Sequence, residues 1–187
     1  MQTWDELKQA CENCRKCGLC ERRKNVVFGV GKQEADVMFI GEGPGEQEDL
    51  LGEPFVGPAG HLLDDMLSII DLNRKNCYIA NIVKCRPPGN RDPRDDEQNA
   101  CKPYLDQQIA LVKPKIIVCL GRVAAKRIIH SDYSITKEHG RWVYSEGTWI
   151  TAIYHPSALL RDPSKRPETF TDLLSIRQRI RDVNSKI

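Results

Sequence analysis

Residues 11–20, CENCRKCGLC, place four cysteines at a regular spacing of three residues. Thiolates bind zinc and iron, and a C-x2-C pair such as Cys14 and Cys17 is a common element of such sites. The whole chain contains eight cysteines, and a reducing compartment disfavours a disulfide framework. Metal ligation, catalysis and simple burial are therefore the roles to weigh.

The other four cysteines are of two kinds. Cys77 and Cys119 lie inside apolar runs, where cysteine behaves as a small hydrophobic residue. Cys85 lies in the segment KCRPP and Cys101 lies early in the following helical pattern, so both are candidates to join the first C-x2-C pair. The alternative is a site made by the first four cysteines alone, although a bacterial ferredoxin run ends C-x3-C-P, whereas Cys20 follows after two residues.

A glycine-rich loop and an aromatic loop follow the first apolar run. GEGPGEQED contains Gly41, Gly43 and Gly45, but it lacks both the Lys-Ser/Thr of a P-loop and the G-x-G-x-x-G spacing, so it is weak as a nucleotide motif. Its Pro44 instead indicates a rigid turn whose backbone a ligand approaches closely. Phe55, in GEPFVGPAG, either caps the core or offers its face to a flat ring.

Asn81 and His155 are polar residues beside two other apolar runs. Asn81, in YIANIV, either braces a neighbouring loop or recognises a pyrimidine edge, because an amide offers both a donor and an acceptor. His155 begins HPS, and it is either a structural residue or a neutral donor to negative charge on a leaving group. The chain contains no G-x-S-x-G, H-E-x-x-H or kinase signature, so hydrolysis would use water directly.

Four near-continuous apolar runs predict buried parallel strands at 36–41, 77–83, 115–121 and 149–155. Helical patterns separate these runs, and a last amphipathic stretch carries Phe170 to Val183. Alternating strands and helices predict an α/β fold, a three-layer α/β/α sandwich around a four-stranded parallel sheet. Ligands of such sheets bind at the carboxyl ends of the strands, where the glycine loop, NIVKCRPPGNRD and HPSALL lie.

Length and composition indicate one domain, since 187 residues bury a substantial core without staples. The start resembles no signal peptide, and no run reaches the roughly 18 apolar residues of a membrane helix, so we expect a cytoplasmic protein without a membrane partner. The net charge of +2 says little. Basic residues nevertheless cluster, either as phosphate-binding patches or as a solvated face beside aspartates: Arg15, Lys16, Arg22, Arg23, Lys24, Lys84, Arg86, Arg91 and Arg94.

Four motifs in order, GEGPGEQED, GEPFVGPAG, NIVKCRPPGNR and HPSALLR, resemble those of the family 4 uracil-DNA glycosylases, bacterial and archaeal enzymes with a 4Fe-4S cluster. The resemblance runs from about residue 10 to residue 180. It implies a uracil-DNA glycosylase fold, with residues 1–187 as one domain whose N-terminal segment the cluster ties to the core. It also implies hydrolysis of the bond between uracil and deoxyribose in single- or double-stranded DNA, in base excision repair and without a lyase step. We expect a monomer.

The same resemblance implies which residues act on the bond. His155 would stabilise the departing uracil anion, while Asn90 would position the attacking water and Glu42 would shape the same loop. The implied cluster ligands are Cys14, Cys17, Cys85 and Cys101. We expect the cluster to be structural, because hydrolysis of a glycosidic bond transfers no electrons.

Recognition of the flipped base is implied in the same way. Phe55 would stack on uracil, Asn81 would hydrogen-bond its edge, and Gly43 takes the place of an aspartate of the family 1 enzymes. Leu159 would be a wedge that fills the gap in the base stack. The implied contacts to DNA phosphates are Arg86 and Arg91.

Two alternatives remain open at this point. One is an iron–sulfur electron carrier whose ligands are Cys11, Cys14, Cys17 and Cys20. The other is a non-enzymatic DNA-binding module that holds zinc on four cysteines. Iron content after replacement of Cys85 or Cys101 separates the first from the enzyme, and colour separates the second.

Overall fold

Each of the four apolar runs forms a strand in the computed structural model, which describes residues 2–185. The sheet within these residues contains two further strands. In chain order the strands are β1 (Val30–Gly31), β2 (Val37–Gly41), β3 (Tyr78–Asn81), β4 (Ile116–Leu120), β5 (Val143–Ser145) and β6 (Thr148–Ile153).

The order across the sheet is β1-β3-β2-β4-β6-β5. The four inner strands are parallel, whereas β1 runs antiparallel to β3 and β5 runs antiparallel to β6. The α/β class is confirmed, but the predicted strand count is wrong, since the sheet has six strands. The two missed strands carry little apolar pattern: β1 is only two residues long, and every residue of β5 is exposed.

Eight α-helices lie within the described residues. They are α1 (Trp4–Glu12), α2 (Glu46–Leu51), α3 (Pro58–Ile69), α4 (Asp95–Val112), α5 (Arg122–Ile128), α6 (Ile135–Glu138), α7 (Pro156–Arg161) and α8 (Arg166–Asn184). In the part of the chain so described, no helix is both long enough and apolar enough to cross a membrane.

The two faces of the sheet bury separate cores. Along β2, Met38 and Ile40 pack with α4 and α5, whereas Val37 and Phe39 pack with α3 and α8. This alternation follows from the period of two in a strand, and both faces are apolar because both are covered by helices. The sheet therefore lies between two helical layers.

Helix α1 lies outside this arrangement and packs on α4. Its Leu7 and Cys11 form a small cluster with Phe28 and Tyr104. The helix begins with a capping box, in which the Thr3 hydroxyl accepts from the Glu6 N–H at 3.2 Å and the Glu6 carboxylate accepts from the Thr3 N–H at 2.8 Å. The N-terminal cysteines are thereby held beside α4, which carries Cys101.

A candidate active site beside a cysteine-lined cavity

The carboxyl ends of β2 and β3 meet at Gly41 and Asn81, which are direct partners in the sheet. A Cβ atom on Gly41 would lie 2.5 Å from Asn81 Oδ1 and 2.6 Å from Phe55 Cζ. Such distances are too short for any side chain, so only glycine lets the amide and the ring approach the end of β2. Gly41 thus shapes the site, a role that its place in the glycine-rich motif did not single out.

Asn81 and Phe55 are buried, at 2% and 5% exposure. Asn81 Oδ1 has no hydrogen-bond partner among residues 2–185. A buried acceptor without a partner costs free energy, and such atoms are concentrated where a ligand completes the bonding. Phe55 has a left-handed backbone with φ of 54°, and its carbonyl accepts a hydrogen bond from Arg74. Arg74, which the motifs did not reveal, therefore fixes the loop that carries the ring.

His155 caps the start of α7, directly after β6. Its Nδ1 accepts from the Ser157 N–H at 3.0 Å and lies 2.7 Å from the Ser157 hydroxyl oxygen. A main-chain N–H can only donate, so Nδ1 carries no proton and Nε2 is the protonated nitrogen. Burial lowers the pKa of His155 to about 4, with a smaller contribution from Arg161. The imidazole is therefore neutral at pH 7 and keeps one N–H donor.

The His155 and Phe55 rings lie against each other, with centroids 5.5 Å apart and planes inclined by 29°. His155 also packs closely against the end of β4, since a Cβ atom on Gly121 would lie 2.9 Å from the Cβ of His155. Residues at the ends of the four parallel strands thus converge on one small region.

A pocket of about 530 Å³ opens beside this region. Five of the residues predicted to act on DNA line it: Glu42, Gly43, Asn90, Arg91 and His155. Phe55, Asn81, Leu159 and Arg86 do not line it, and the first three are buried.

Glu42 is one of three acidic residues that line this pocket, with Glu48 and Asp92. Burial raises the pKa of Glu42 to about 7, and the nearby Asp92 carboxylate adds to the increase. Arg122 and Arg161 act in the opposite direction, and Arg122 also forms an ion pair with Asp92 at 2.5 Å. Glu42 can consequently change its charge near neutral pH. Asp92 and Arg122 were not identified from the motifs.

The loop that carries Asn90 is held by two arginines. Asn90 and Gly89 both have positive φ, 57° and 61°. Arg86 Nε donates to Asn90 Oδ1 at 2.7 Å, and Arg91 pairs with both oxygens of the buried Glu97 carboxylate at 2.9 and 2.7 Å. Both arginines predicted to bind DNA phosphates are therefore engaged within the protein.

Helix α7 presents different residues to the core and to the solvent. Leu159, predicted to be a wedge, is only 2% exposed and packs in the core, whereas Leu160 is 42% exposed. Insertion into a base stack needs a side chain that projects from the surface. The burial of Leu159 therefore does not fit the predicted wedge role. Arg161, at the pocket rim, forms no ion pair or side-chain hydrogen bond in the described part of the chain.

A second cavity is lined by six cysteines from three segments: Cys11, Cys14, Cys17, Cys20, Cys85 and Cys101. The four predicted ligands are among them, and all eight cysteines of the chain have free thiols. Within residues 2–185, no group of three His, Cys, Asp or Glu side chains is placed to hold a single metal ion. Cys77 and Cys119 lie elsewhere, in the sheet, where burial raises the pKa of both thiols.

Three cations line this cavity with the cysteines: Lys16, Arg23 and Lys84. Arg23 Nη1 donates to Cys14 O at 2.6 Å and to Cys85 Sγ at 3.5 Å, so it joins two cysteine-bearing segments. Lys84 also lines the cavity and is 1% exposed. Neither contact was predicted, because an arginine or lysine in a basic segment carries no sequence signal that distinguishes it from a surface cation.

Comparison with known proteins gives one consistent family. A model of the uracil DNA glycosylase superfamily matches residues 28–176. A type-4 uracil-DNA glycosylase of Sulfurisphaera tokodaii is 46% identical to this chain, over 95% of the chain and 85% of that protein. Type-4 enzymes of Archaeoglobus fulgidus and Saccharolobus solfataricus are 43% and 41% identical, over 94% and 95% of the chain and 92% and 87% of those proteins. The chain belongs to the uracil DNA glycosylase superfamily and, within it, to the type-4 uracil-DNA glycosylases.

Proposed function

We propose that this protein removes uracil from DNA by hydrolysis of its N-glycosidic bond and leaves an abasic site, in base excision repair of deaminated cytosine. The observation that carries the proposal is the convergence of an unpaired amide oxygen, an aromatic ring and a neutral imidazole at the carboxyl ends of parallel strands. These groups belong to Asn81, Phe55 and His155. No lyase step is included, because none of the three is an amine that attacks the sugar.

Recognition of uracil is assigned to Asn81, Phe55 and Gly43. Uracil in a duplex must be flipped out before its glycosidic bond is accessible. The Asn81 amide offers a donor and an acceptor to the uracil edge, and Phe55 offers a flat face. The rings of Phe55 and His155 are stacked, so a base that binds on that face of Phe55 must displace the His155 ring. Because Asn81 and Phe55 are buried, this site should exclude the methyl group of thymine.

His155 is assigned to the departing base. Cleavage places negative charge on uracil, and a fixed N–H donor stabilises this charge more than it stabilises the uncleaved substrate. Ser157 holds Nδ1 as an acceptor, which directs the Nε2 proton away from the main chain of α7. A neutral donor suits this role because it keeps its proton throughout the reaction.

Glu42 and Asn90 are assigned to the attacking water. Both line the pocket, and an ionised Glu42 accepts a hydrogen bond from water, whereas Asn90 orients it. Arg86 acts here through Asn90: its bond to Oδ1 leaves the amide hydrogens of Asn90 available to the pocket. Arg91 holds the same loop through Glu97. The phosphate-binding roles proposed for Arg86 and Arg91 would use the donors that remain.

Contact with DNA outside the pocket is assigned to the exposed part of α7. Leu160 replaces Leu159 as the proposed wedge, because it projects from the surface two residues after Ala158, which lines the pocket. Arg161 follows and is the proposed phosphate contact at the rim.

The cysteine-lined cavity is the proposed site of a 4Fe-4S cluster, with Cys14, Cys17, Cys85 and Cys101 as its ligands. The residues present fit such a group, since cysteines of three segments face one cavity and three cations that line it offset the charge of thiolates. When bound, the cluster would supply a link between the N-terminal segment and the loop that bears Asn90. An electron carrier or a zinc module has less support, because the family is one of glycosylases. A cytoplasmic location and a monomeric state remain predictions from the sequence.

The first test is incubation with a uracil-containing oligonucleotide, single- or double-stranded, followed by alkaline cleavage of abasic sites. We expect cleavage at uracil and none at thymine.

Replacement of His155 by Ala should lower kcat by about 100- to 1,000-fold, the usual effect of losing one preorganised donor, with little change in DNA affinity. Absence of product on both substrates contradicts the proposed function, and equal losses of kcat and affinity contradict the role of His155.

Activity should depend on the ionisation of Glu42. Since burial and Asp92 raise its pKa to about 7, kcat should rise with pH through this range as the carboxyl ionises. Asp92→Asn removes the neighbouring negative charge, so the pKa of Glu42 falls and the rise should move to lower pH. Asp95→Asn, an exposed change outside the pocket, is the control. An unshifted profile in the Asp92 variant would show that Asp92 does not set the protonation of Glu42.

The two leucines of α7 should differ in what they affect. Leu160→Ala should weaken binding of uracil-containing double-stranded DNA several-fold with little effect on stability, because the side chain is exposed. Leu159→Ala should lower the free energy of unfolding by about 2–5 kcal/mol, because it leaves a cavity in the core. DNA titrations and thermal unfolding measure the two effects, and the opposite pattern would restore Leu159 as the wedge.

Replacement of different cysteines of the cavity should affect the iron content differently. Cys101→Ala should purify with less iron and with weaker visible absorbance, whereas Cys20→Ala should keep both, since Cys20 is not a proposed ligand. Iron and sulfide analysis of the two variants is the measurement. Loss of iron from Cys20→Ala with retention in Cys101→Ala would favour ligation within residues 11–20.

A further inference from the structure

Lys84 is a cation in an unusual environment. Its side chain is 1% exposed, and its Nζ donates to the Asn81 carbonyl at 3.0 Å and to Gln108 Oε1 at 2.6 Å. Both acceptors are neutral, and Lys84 forms no ion pair within residues 2–185. Gln108 is itself fixed, because its Nε2 donates to Phe28 O at 2.8 Å and to the Tyr78 hydroxyl at 3.1 Å.

Such a site is unfavourable for a charge unless an anion lies nearby. The free-energy cost of removing an ammonium from water exceeds the gain from two hydrogen bonds to neutral acceptors. Buried charges are therefore paired or lie beside metals. Among the described residues, Glu97 is the carboxylate that lines this cavity, and its two oxygens accept hydrogen bonds from Arg91 rather than from Lys84. The other cations lining the cavity, Lys16 and Arg23, only increase the need for negative charge.

The cavity beside Lys84 is lined by cysteines, whose thiolates can supply the negative charge. Lys84 lines the cavity with Cys11, Cys85 and Cys101, which belong to α1, the KCRPP loop and α4. Thiolate ligands are anions, and a 4Fe-4S group held by four of them keeps a net negative charge.

We propose that Lys84 is the internal counter-cation of the iron–sulfur cluster, an inference that rests on the cluster proposed above. The Lys84 ammonium offsets the thiolate charge from the protein side of the cavity. The same ammonium donates a hydrogen bond to the Asn81 carbonyl at the end of β3. One buried charge would thus interact both with the cluster and with the strand that carries the base-binding amide. Lys84 is thus a positioning residue and touches neither DNA nor the reacting bond.

The sign of its effect on the cluster follows from charge. One-electron reduction makes the cluster more negative, and a nearby buried cation stabilises the reduced form more than the oxidised form. Lys84 therefore raises the reduction potential. An exposed lysine has a weaker effect, because water screens its charge.

The test measures the midpoint potential of the cluster-loaded protein by a dye-mediated redox titration. Lys84→Met should disfavour reduction at least tenfold, which corresponds to a potential lower by about 59 mV for one electron. Lys102→Met is the matched control: Lys102 adjoins Cys101 but is exposed and pairs with Asp106 at the surface, so its potential should stay close to that of the unmodified protein.

Iron content separates the possible failures. Unmodified protein without iron would contradict the cluster and this inference together, whereas iron-loaded Lys84→Met with an unchanged potential would overturn the inference alone. If Lys84→Met takes up no cluster, the Lys84→Arg variant distinguishes an effect of charge from an effect of shape, since it keeps the charge. A loaded Arg variant with a near-normal potential supports a counter-cation, and an Arg variant that also lacks iron shows that shape rather than charge matters and overturns it.

Discussion

The parallel pairing of β2 with β3 on one side and β4 on the other is the constraint on which the site depends. Parallel strands end at the same edge, so Gly41, Asn81 and, through β4 and β6, His155 arrive together although 114 positions separate the first from the last. The register is fixed because each strand is buried on both faces, and a slip of one residue would exchange its two side-chain sets. The chemistry of the site thus follows from the packing of an apolar sheet.

The segment Asn81–Cys85 links this edge to the cysteine cavity within five residues. It begins with the amide at the end of β3, continues through the buried Lys84 and ends with a cysteine of the cavity. Arg86, next in the chain, holds Asn90. The proposed cluster would therefore lie close along the chain to the residues proposed for base recognition and for water, so it could affect hydrolysis through structure alone.

Features set by short-range apolar pattern were predictable from the sequence, and features set by partners far along the chain were not. The inner strands and the helical layers follow from runs such as those of β2 and β4. Strand β5 is exposed and pairs only because β6 offers its edge, which no local pattern records. Likewise, Leu159 and Leu160 are identical in type, and only the orientation of α7 decides which is buried.

The basic residues show the same limit more sharply. The motif predicted that Arg86 and Arg91 face DNA, yet the first bonds Asn90 and the second is held by Glu97. Lys84 belongs to the same basic segment and is fully buried. Charge in a sequence indicates an electrostatic role but not its partner, since an acceptor anywhere in the fold can satisfy a guanidinium or an ammonium. The structure brings five predicted site residues of the family motifs to one pocket, while the contacts between the predicted residues needed the structure.

The electrostatics of the pocket are shaped by one cause acting on two groups. Burial disfavours charge, so it lowers the pKa of His155 and raises that of Glu42. Both effects move the groups toward neutral forms, but only Glu42 reaches the range near pH 7, where a small change in its surroundings alters its charge. In the proposed reaction, His155 is therefore a fixed donor to the leaving base, and Glu42 is a partner of water whose charge can be adjusted. The different duties of the two residues therefore arise from how far each is removed from solvent and from the charges of Asp92, Arg122 and Arg161 beside them.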